Sequence, residues 1–263
     1  MSNNDQEILD RLKSQSFRGI IFDFDGTLLD IKNPLERAIE ETFKEKNIPF
    51  EMEKTLQEIG SALESIQGYP IPKILLQSYE IFENLTVFNK LTFLKKLRIA
   101  MKIFSRYQEY SKDAQFFPGI KDLLTFLNKN ANLFIVSHNQ TKKVLEFLKR
   151  DELESYFKAV YGADMLPALK PHPDAFLPLL EQYKKIKNND WLIIGDMPSD
   201  IEAGKEAGLF TMGIASGISK KEVLANLRPN LLINSITELL DKIGIKSSSV
   251  SNSNVKTSLK VKS

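Results

Sequence analysis

Two aspartates separated by one residue, Asp23 and Asp25, directly follow a short apolar run. That run, Gly19–Phe22, is typical of a strand buried on both faces, as in parallel sheets. Side chains two residues apart point to the same side of a strand, so both carboxylates should project together while Phe24 points away. Crowded carboxylates are tolerated if a cation joins them or if one holds a proton. The structural alternative is a strand that simply ends in an Asp-Gly turn.

A hydroxyl and an amine occupy comparable positions further along the chain. Ser137 follows the apolar run Leu133–Val136 and precedes a predicted helix, where a hydroxyl and backbone N–H groups can bind an anion. An ordinary helix cap is the alternative for this serine. Lys170 lies in a loop bracketed by prolines, which fix its position better than that of a surface lysine.

A second acidic pair follows another apolar run. Asp196 comes after Trp191–Ile194 just as Asp23 comes after the first run. Asp200 lies at the start of the next helix, between Pro198, which would open that helix, and the helical pattern that begins at Ile201. An aspartate near a helix start is also ordinary structural chemistry. Oxygen ligands from Asp23 and Asp196 would suit Mg²⁺, which retains water and pairs with phosphate. With Lys170 beside that cation, a carboxylate could approach an anionic phosphorus centre, so the pattern indicates phosphoryl transfer.

Alternating strand and helix patterns surround these residues. Apolar runs predict six strands, at Gly19–Phe22, Leu133–Val136, Ala159–Tyr161, Trp191–Ile194, Phe210–Ile214 and Leu231–Ile233. Helical spacing predicts their connections, at Ile120–Asn128, Gln140–Lys149, Pro173–Lys184, Ile201–Ala207, Lys220–Leu227 and Ile236–Ile243. Repeated units of this kind predict an α/β, Rossmann-like fold, in which a parallel sheet carries helices on both faces.

The long segment between the first two strands has helical patterns, including Pro34–Lys46 and Phe88–Tyr110. A basic stripe on the second helix is formed by Lys95, Arg98, Lys102 and Arg106. We expect it to lie beside an apolar side formed by Phe93, Leu94, Leu97, Ala100, Met101, Phe104 and Tyr107. A solvated helix face explains this stripe, and attraction of an anionic substrate or partner is the alternative.

These patterns divide the chain into four parts. We predict an α/β core at 17–31 and 113–245, an all-α cap domain inserted at 32–112, a leading helix at 1–16, and a disordered basic tail at 246–263.

Composition excludes several classes of function. The net charge of +2 is too small to indicate a nucleic-acid or membrane partner, and the chain has no cysteine for disulfides or thiolate chemistry. Only two histidines are present, which disfavours a histidine-rich metal site. The polar start is unlike a signal peptide, and no apolar run approaches the roughly 18 residues of a membrane span. We therefore expect a cytoplasmic protein.

Taken together, the motifs resemble those of the haloacid dehalogenase superfamily, in its helical-cap, phosphoglycolate-phosphatase-like branch. The stretch from Asp23 to Thr27 is similar to the first family motif, Ser137 to the second, Lys170 to the third, and Gly195-Asp196 with Asp200 to the fourth. The similarity extends from residue 18 to about residue 243.

The resemblance implies a Mg²⁺-dependent phosphatase that acts on a small phosphorylated metabolite. Asp23 would be the nucleophile and Asp25 the general acid and base, while Ser137 and Lys170 would bind the phosphoryl oxygens. The family's metal ligands correspond to Asp23, the backbone carbonyl of Asp25, and Asp196, with Asp200 included mainly to orient water or Lys170. The cap would close over the site. A second acid at position 25 disfavours dehalogenase and phosphonatase chemistry.

Several questions stay open at this point. A phosphomutase would use the same two acids, and a non-catalytic protein that binds phosphate or a partner is a further alternative. His138 intervenes where relatives often have asparagine, so the roles of His138 and Asn139 are undetermined. The substrate, the choice between monomer and homodimer, and the role of the basic tail are also not fixed by the sequence.

Overall fold

The structure is a computed structural model that describes residues 3–56, 58 and 91–246. Its strands are β1 (Gly19–Phe22), β2 (Asn132–Val136), β3 (Phe157–Tyr161), β4 (Trp191–Gly195), β5 (Phe210–Ile214) and β6 (Leu231–Ile233). They form one parallel sheet in the order β3-β2-β1-β4-β5-β6. The predicted α/β, Rossmann-like fold is confirmed, with every predicted strand present.

The helices alternate with these strands. They are α1 (Asn3–Lys13), α2 (Lys32–Glu45), α3 (Phe93–Tyr110), α4 (Ile120–Leu127), α5 (Thr141–Arg150), α6 (Leu177–Gln182), α7 (Pro198–Glu206), α8 (Lys221–Asn226) and α9 (Ile236–Ile243). The helix predicted at Pro173–Lys184 is wrong at both ends. It begins as a 3₁₀ turn at Pro173–Phe176 and its α-helical part stops at Gln182.

The sheet is covered on both faces because its strand residues alternate between two apolar clusters. Ile20 and Phe22 belong to the cluster that includes residues of α1, α4, α5 and α9. Ile21 belongs to the opposite cluster, together with Phe176, Leu179 and residues of α7. These central strands are fully buried, so the polar side chains that follow them are held on a rigid support.

The leading helix belongs to the larger of these clusters. Ile8, Leu9 and Leu12 are buried, and α1 packs against α9 and β6. Arg11 also binds the Asp190 carboxylate at 3.0 Å, at the amino end of β4. This helix therefore contributes to the core of the sheet domain.

Helices α2 and α3 lie between β1 and β2 in the sequence, and they pack against each other. The apolar side predicted for α3 is correct at Tyr107, which is buried, and wrong at Leu94 and Met101, which are more than half exposed. Ile99 and Ile103, which the prediction did not place on that side, are buried instead. Apolar residues occur on more than one side of α3, and its packing against other elements determines which side is buried.

Part of the predicted chain organisation lies outside the described residues. Residues 57 and 59–90 of the predicted cap, and the predicted tail after residue 246, belong to that part. The boundaries of the cap domain therefore stay a prediction. Among the described residues, no helix combines the length and apolar character needed to cross a bilayer.

Candidate active site

The predicted site residues meet at the carboxyl edge of the two central strands. Asp23 follows β1 and Asp196 follows β4, and these strands are direct neighbours in matched register. The Asp23 N–H donates to the Ile194 carbonyl at 2.9 Å, which continues the strand pairing up to the aspartate. From β1 the chain continues to β2 and β3 on one side of the sheet and then returns to β4, on the other side of β1. Ligands bind at such switch points in open α/β sheets.

Three buried carboxylates form a compact cluster at this point. Asp23, Asp196 and Asp200 each offer one oxygen, and these oxygens lie within 4.8 Å of one another. Asp200 reaches the cluster from the first turn of α7, where its Oδ2 also accepts a hydrogen bond from the Met197 N–H at 3.0 Å. The cluster unites three of the four residues predicted for the metal site.

Lys170 supplies positive charge to this cluster. Its Nζ donates to Asp23 Oδ1 at 2.7 Å, to Asp200 Oδ1 at 2.6 Å and to the Val136 carbonyl at 3.0 Å. Burial lowers the pKa of Lys170, but the carboxylates of Asp200 and Asp23 outweigh that effect and raise it above its usual value. The lysine therefore stays protonated with its ammonium group in a fixed position.

Burial has the opposite consequence for Asp23. It raises the pKa of Asp23 well above the ordinary carboxyl value; Lys170 opposes this shift, while Asp200 and Asp196 add to it. A further cation beside Asp23 would therefore stabilise its ionised form.

Asp196 is fixed by contacts that the sequence did not reveal. Its Oδ1 accepts from the Thr27 hydroxyl at 2.9 Å, and its Oδ2 accepts from the Ile218 N–H at 3.0 Å. Two glycines leave room for it: a Cβ on Gly26 would lie 2.3 Å from Asp196 Oδ2, and one on Gly217 would lie 1.9 Å from it. Gly26 also has φ +87°, a left-handed conformation that allows the tight turn after Asp25.

Asp25 lies beside the cluster, and its side chain is not one of the three grouped carboxylates. Its Oδ2 accepts from Asn139 Nδ2 at 3.0 Å. Burial raises the pKa of Asp25, while Lys143, Asn139 and Lys170 lower it by smaller amounts. Phe24 points away as predicted, into the core between Phe116 and Phe147.

The loop after β2 brings the remaining predicted residue to the same edge. Ser137 is buried, and its Oγ accepts from the Asn139 N–H at 3.0 Å, which holds the loop in a tight turn. This turn directs the Asn139 amide toward Asp25. His138, between them, is also buried. The sequence left the role of Asn139 open, and its partner was not deducible because the two residues are 114 positions apart.

The donor set fits a hard divalent cation. Carboxylate oxygens are the ligands that Mg²⁺ prefers, and the Asp23–Asp196 pair is buried at a strand edge with hydrogen bonds that hold Asp196 in one orientation. Lys170 balances part of the negative charge, which leaves the cluster short of full compensation. The residues present therefore suit the cation predicted from the sequence.

Comparison with known proteins places this arrangement in a family. The haloacid dehalogenase-like hydrolase family profile matches residues 20–214, which is more than half of the chain. The chain belongs to this family. The family predicted from the sequence motifs is thereby confirmed.

Individual relatives of this hydrolase agree with that assignment. A phosphoglycolate phosphatase from Escherichia coli is 28% identical over 240 residues, covering 89% of this chain and 95% of the relative. Among solved structures, a haloacid dehalogenase-like hydrolase from Streptococcus pneumoniae is 25% identical, with a TM-score of 0.60, covering 86% of this chain and 98% of its own. A predicted phosphoglycolate phosphatase from Haemophilus somnus shares the fold at 24% identity and a TM-score of 0.65, over 86% and 97% of the two chains.

Proposed function

We propose that this hydrolase is a Mg²⁺-dependent phosphatase that cleaves a small phosphomonoester through an aspartyl-phosphate at Asp23. The observation that carries the proposal is the position of Lys170, which contacts Asp23 and Asp200 at 2.7 and 2.6 Å beside Asp196. An anionic nucleophile can approach an anionic phosphate ester only where positive charge offsets their repulsion. The phosphatase names of the curated relatives support the same reaction class.

Asp23 and Asp25 divide the chemistry between them. An Asp23 oxygen attacks phosphorus while the bond to the leaving oxygen breaks, and Asp25 gives that oxygen its proton. In the second step Asp25 takes a proton from water, whose oxygen attacks phosphorus, and the bond to Asp23 breaks to release phosphate. The raised pKa of Asp25 suits a group that must hold a proton before the first step.

The other residues bind and orient. Lys170 and the Ser137 hydroxyl hold phosphoryl oxygens, and Asp200 positions the Lys170 ammonium group. Asp23, Asp196 and the backbone carbonyl of Asp25 would hold Mg²⁺, which would neutralise charge on the phosphoryl group. Asp200 has both oxygens engaged, by Lys170 and by Met197, so we assign it to the orientation of Lys170.

Release of inorganic phosphate from a panel of small phosphomonoesters tests this function. The panel contains 2-phosphoglycolate and sugar phosphates, with Mg²⁺ or with chelator. We expect Mg²⁺-dependent release by the wild type and none by Asp23→Asn, which keeps the size of the side chain and removes its charge. The matched control is Asp190→Asn at the opposite edge of the sheet, where the aspartate binds Arg11.

Two outcomes of the same experiment favour the alternatives. Phosphoryl transfer that appears only with a sugar bisphosphate activator, without net phosphate release, would indicate a phosphomutase. No phosphate release from any substrate, together with tight binding of phosphate, would indicate a non-catalytic binding protein. A wild-type rate unchanged by chelator would contradict the magnesium requirement.

A further inference from the structure

Hydrogen bonds set the orientation of the Asn139 side chain beside Asp25. Asn139 Oδ1 accepts from the Gln140 N–H at 2.9 Å, and Asn139 Nδ2 donates to Asp25 Oδ2 at 3.0 Å. A backbone N–H can only donate, so the amide atom beside Gln140 must be the oxygen. The NH2 group is therefore directed to Asp25 by a backbone contact that does not depend on the protonation state of the aspartate.

The loop after β3 holds the segment that carries Asn139. The Ala163 N–H donates to the Asn139 carbonyl at 2.8 Å. Asp164 Oδ1 accepts from both the N–H and the hydroxyl of Thr141, at 2.7 and 2.9 Å, and the same hydroxyl accepts from the Gly162 N–H at 2.9 Å. These hydrogen bonds join the loops that follow two neighbouring strands, β2 and β3. The position of Asn139 therefore depends on both loops.

Gly162 allows this close approach of the two loops. A Cβ at this position would lie 2.2 Å from the Thr141 nitrogen and 2.5 Å from the Asn139 carbonyl oxygen, and both of these are backbone atoms. The same loop continues to Lys170, whose Nζ donates to the Val136 carbonyl at the end of β2. The segment after β2 is therefore held at both ends, at Val136 and at Thr141.

The contact with Asn139 determines which oxygen of Asp25 carries a proton. The oxygen that bears the proton is the poorer hydrogen-bond acceptor, so a carboxyl group keeps its proton on the oxygen that does not face an N–H donor. Because Asn139 donates to Oδ2, the proton of Asp25 belongs on Oδ1. The ionised carboxylate can keep the same contact, so the carboxyl group need not rotate between giving a proton and taking one.

We propose that Asn139 is a positioning residue, held by the loop at 162–164, that fixes Asp25 so that Oδ1 exchanges the proton in both steps of the reaction. This inference rests on the proposed phosphatase function. Asn139 acts through Asp25, so its loss should slow the steps in which Asp25 transfers a proton. A first step that needs no proton should be affected much less.

Two substrates with different leaving groups test the inference. An alkyl phosphate from the panel releases an alkoxide, which needs a proton, whereas acetyl phosphate releases acetate, a weak base that needs none. The value of kcat/KM reports only the steps up to release of the leaving group, so it isolates the first proton transfer. For Asn139→Leu we expect kcat/KM to fall roughly 10- to 100-fold for the alkyl phosphate and less than about 3-fold for acetyl phosphate.

Asp164 provides a second variant, which leaves the Asn139 amide in place. Asp164→Ala should lower the ratio of kcat/KM for the alkyl phosphate to that for acetyl phosphate by a smaller factor. Asp164→Asn should retain most of this ratio, because an amide oxygen can still accept both hydrogen bonds from Thr141. Adding Asp164→Ala to Asn139→Leu should not lower the ratio further, since both changes act through one contact.

The matched control is Asn130→Leu, which removes an exposed amide that binds Gln15 near the amino end of β2. Its kcat/KM should be unchanged for both substrates. Equal losses on both substrates in Asn139→Leu, or no loss on either, would overturn the role of Asn139 while leaving the phosphatase function intact. An unchanged ratio in Asp164→Ala would overturn the role of the loop after β3. Failure of the wild type to hydrolyse either substrate would overturn the proposed function together with this inference.

Discussion

Two ion-pair clusters of similar composition lie in different surroundings in this protein. At the sheet edge, Lys170 binds Asp23 and Asp200, and the three side chains are 2%, 10% and 1% exposed. Between α2 and α3, Glu45 binds Lys102, and these side chains are 38% and 36% exposed. The chemistry of the groups is the same, and only their access to water differs.

That difference separates the cluster of the proposed active site from the cluster that joins two helices. Burying an ion costs several kcal/mol even after the protein relaxes, so a buried group of charges is weak evidence for stability. Exposed pairs cost little to form, contribute little and are screened by salt. The proposed function explains why the buried cluster is present. The exposed cluster includes Lys102 and Arg106 of the predicted basic stripe and joins α2 to α3.

Breaking the buried cluster should have the largest effect. Lys170→Met leaves Asp23 and Asp200 without their shared cation, so we expect the free energy of unfolding to fall by about 3–5 kcal/mol and phosphatase activity to be lost. Chemical denaturation and phosphate release measure the two effects. The control is Lys102→Met in the exposed cluster, which should keep its activity. Equal losses of stability in both variants would contradict the distinction drawn between the clusters.

Displacing Asp196 should weaken the metal site while the Lys170 contacts stay in place. A methyl group at Gly217 would collide with Asp196 Oδ2, so Gly217→Ala should raise the Mg²⁺ concentration for half-maximal activity by roughly 10- to 100-fold. A Mg²⁺ titration of phosphate release measures this change. Gly213→Ala is the control, since its Cβ would meet only side-chain atoms, the nearest at 3.0 Å. An unchanged titration in Gly217→Ala would show that Asp196 is not a ligand.

Stability should depend on pH and metal together. Burial raises the pKa of Asp23 and Asp25 in the folded state, so their favourable contribution is complete below the unfolded carboxyl pKa and is lost as pH rises through the folded pKa. Mg²⁺ binds the ionised carboxylates, so its stabilising effect should be larger at about pH 7.5 than at about pH 5. Thermal unfolding with Mg²⁺ or chelator measures this difference. A metal effect independent of pH, or one retained in Asp23→Asn, would contradict it.

The smallest effect is expected in the exposed cluster. Glu45→Gln removes the partner of Lys102 and Arg106, and we expect the thermal midpoint to change little at low salt and not at all at high salt. Unfolding at two salt concentrations measures this. A large loss of stability that persists in high salt would show that the cluster does more than join α2 to α3.

The sequence was sufficient to predict the sheet and the convergence of the charged candidate residues at one edge of it. Asp23, Asp196 and Ser137 each follow an apolar run, and the carboxyl ends of parallel strands meet at one edge whatever the length of the chain between them. Lys170 was found because prolines bracket it, and its predicted neighbourhood agrees with the observed contacts. The strand pattern and the polar residues after the strands therefore indicated the same edge of the sheet.

Contacts between distant segments were not predictable in the same way. Thr27 is part of the quoted motif, yet its bond to Asp196 joins residues 169 positions apart. Gly217 and Ile218 follow β5 in a run of small residues. Such a run predicts a tight loop, but it does not predict that the loop contacts Asp196. The buried side of α3 was predicted correctly at Tyr107 and wrongly at Leu94 and Met101. Helical periodicity gives several apolar sides when apolar residues are frequent, and packing determines which of them is buried.

The most direct test of the mechanism is the chemical identity of the phosphorylated residue during turnover. The enzyme would be mixed with 2-phosphoglycolate and Mg²⁺, quenched in acid and digested, and the peptides analysed by mass spectrometry. We predict the mass of one phosphoryl group on the Asp23 side chain, absent with chelator and absent in Asp23→Asn. Phosphate release by the wild type with no label on Asp23, or turnover that survives Asp23→Asn, would contradict the mechanism.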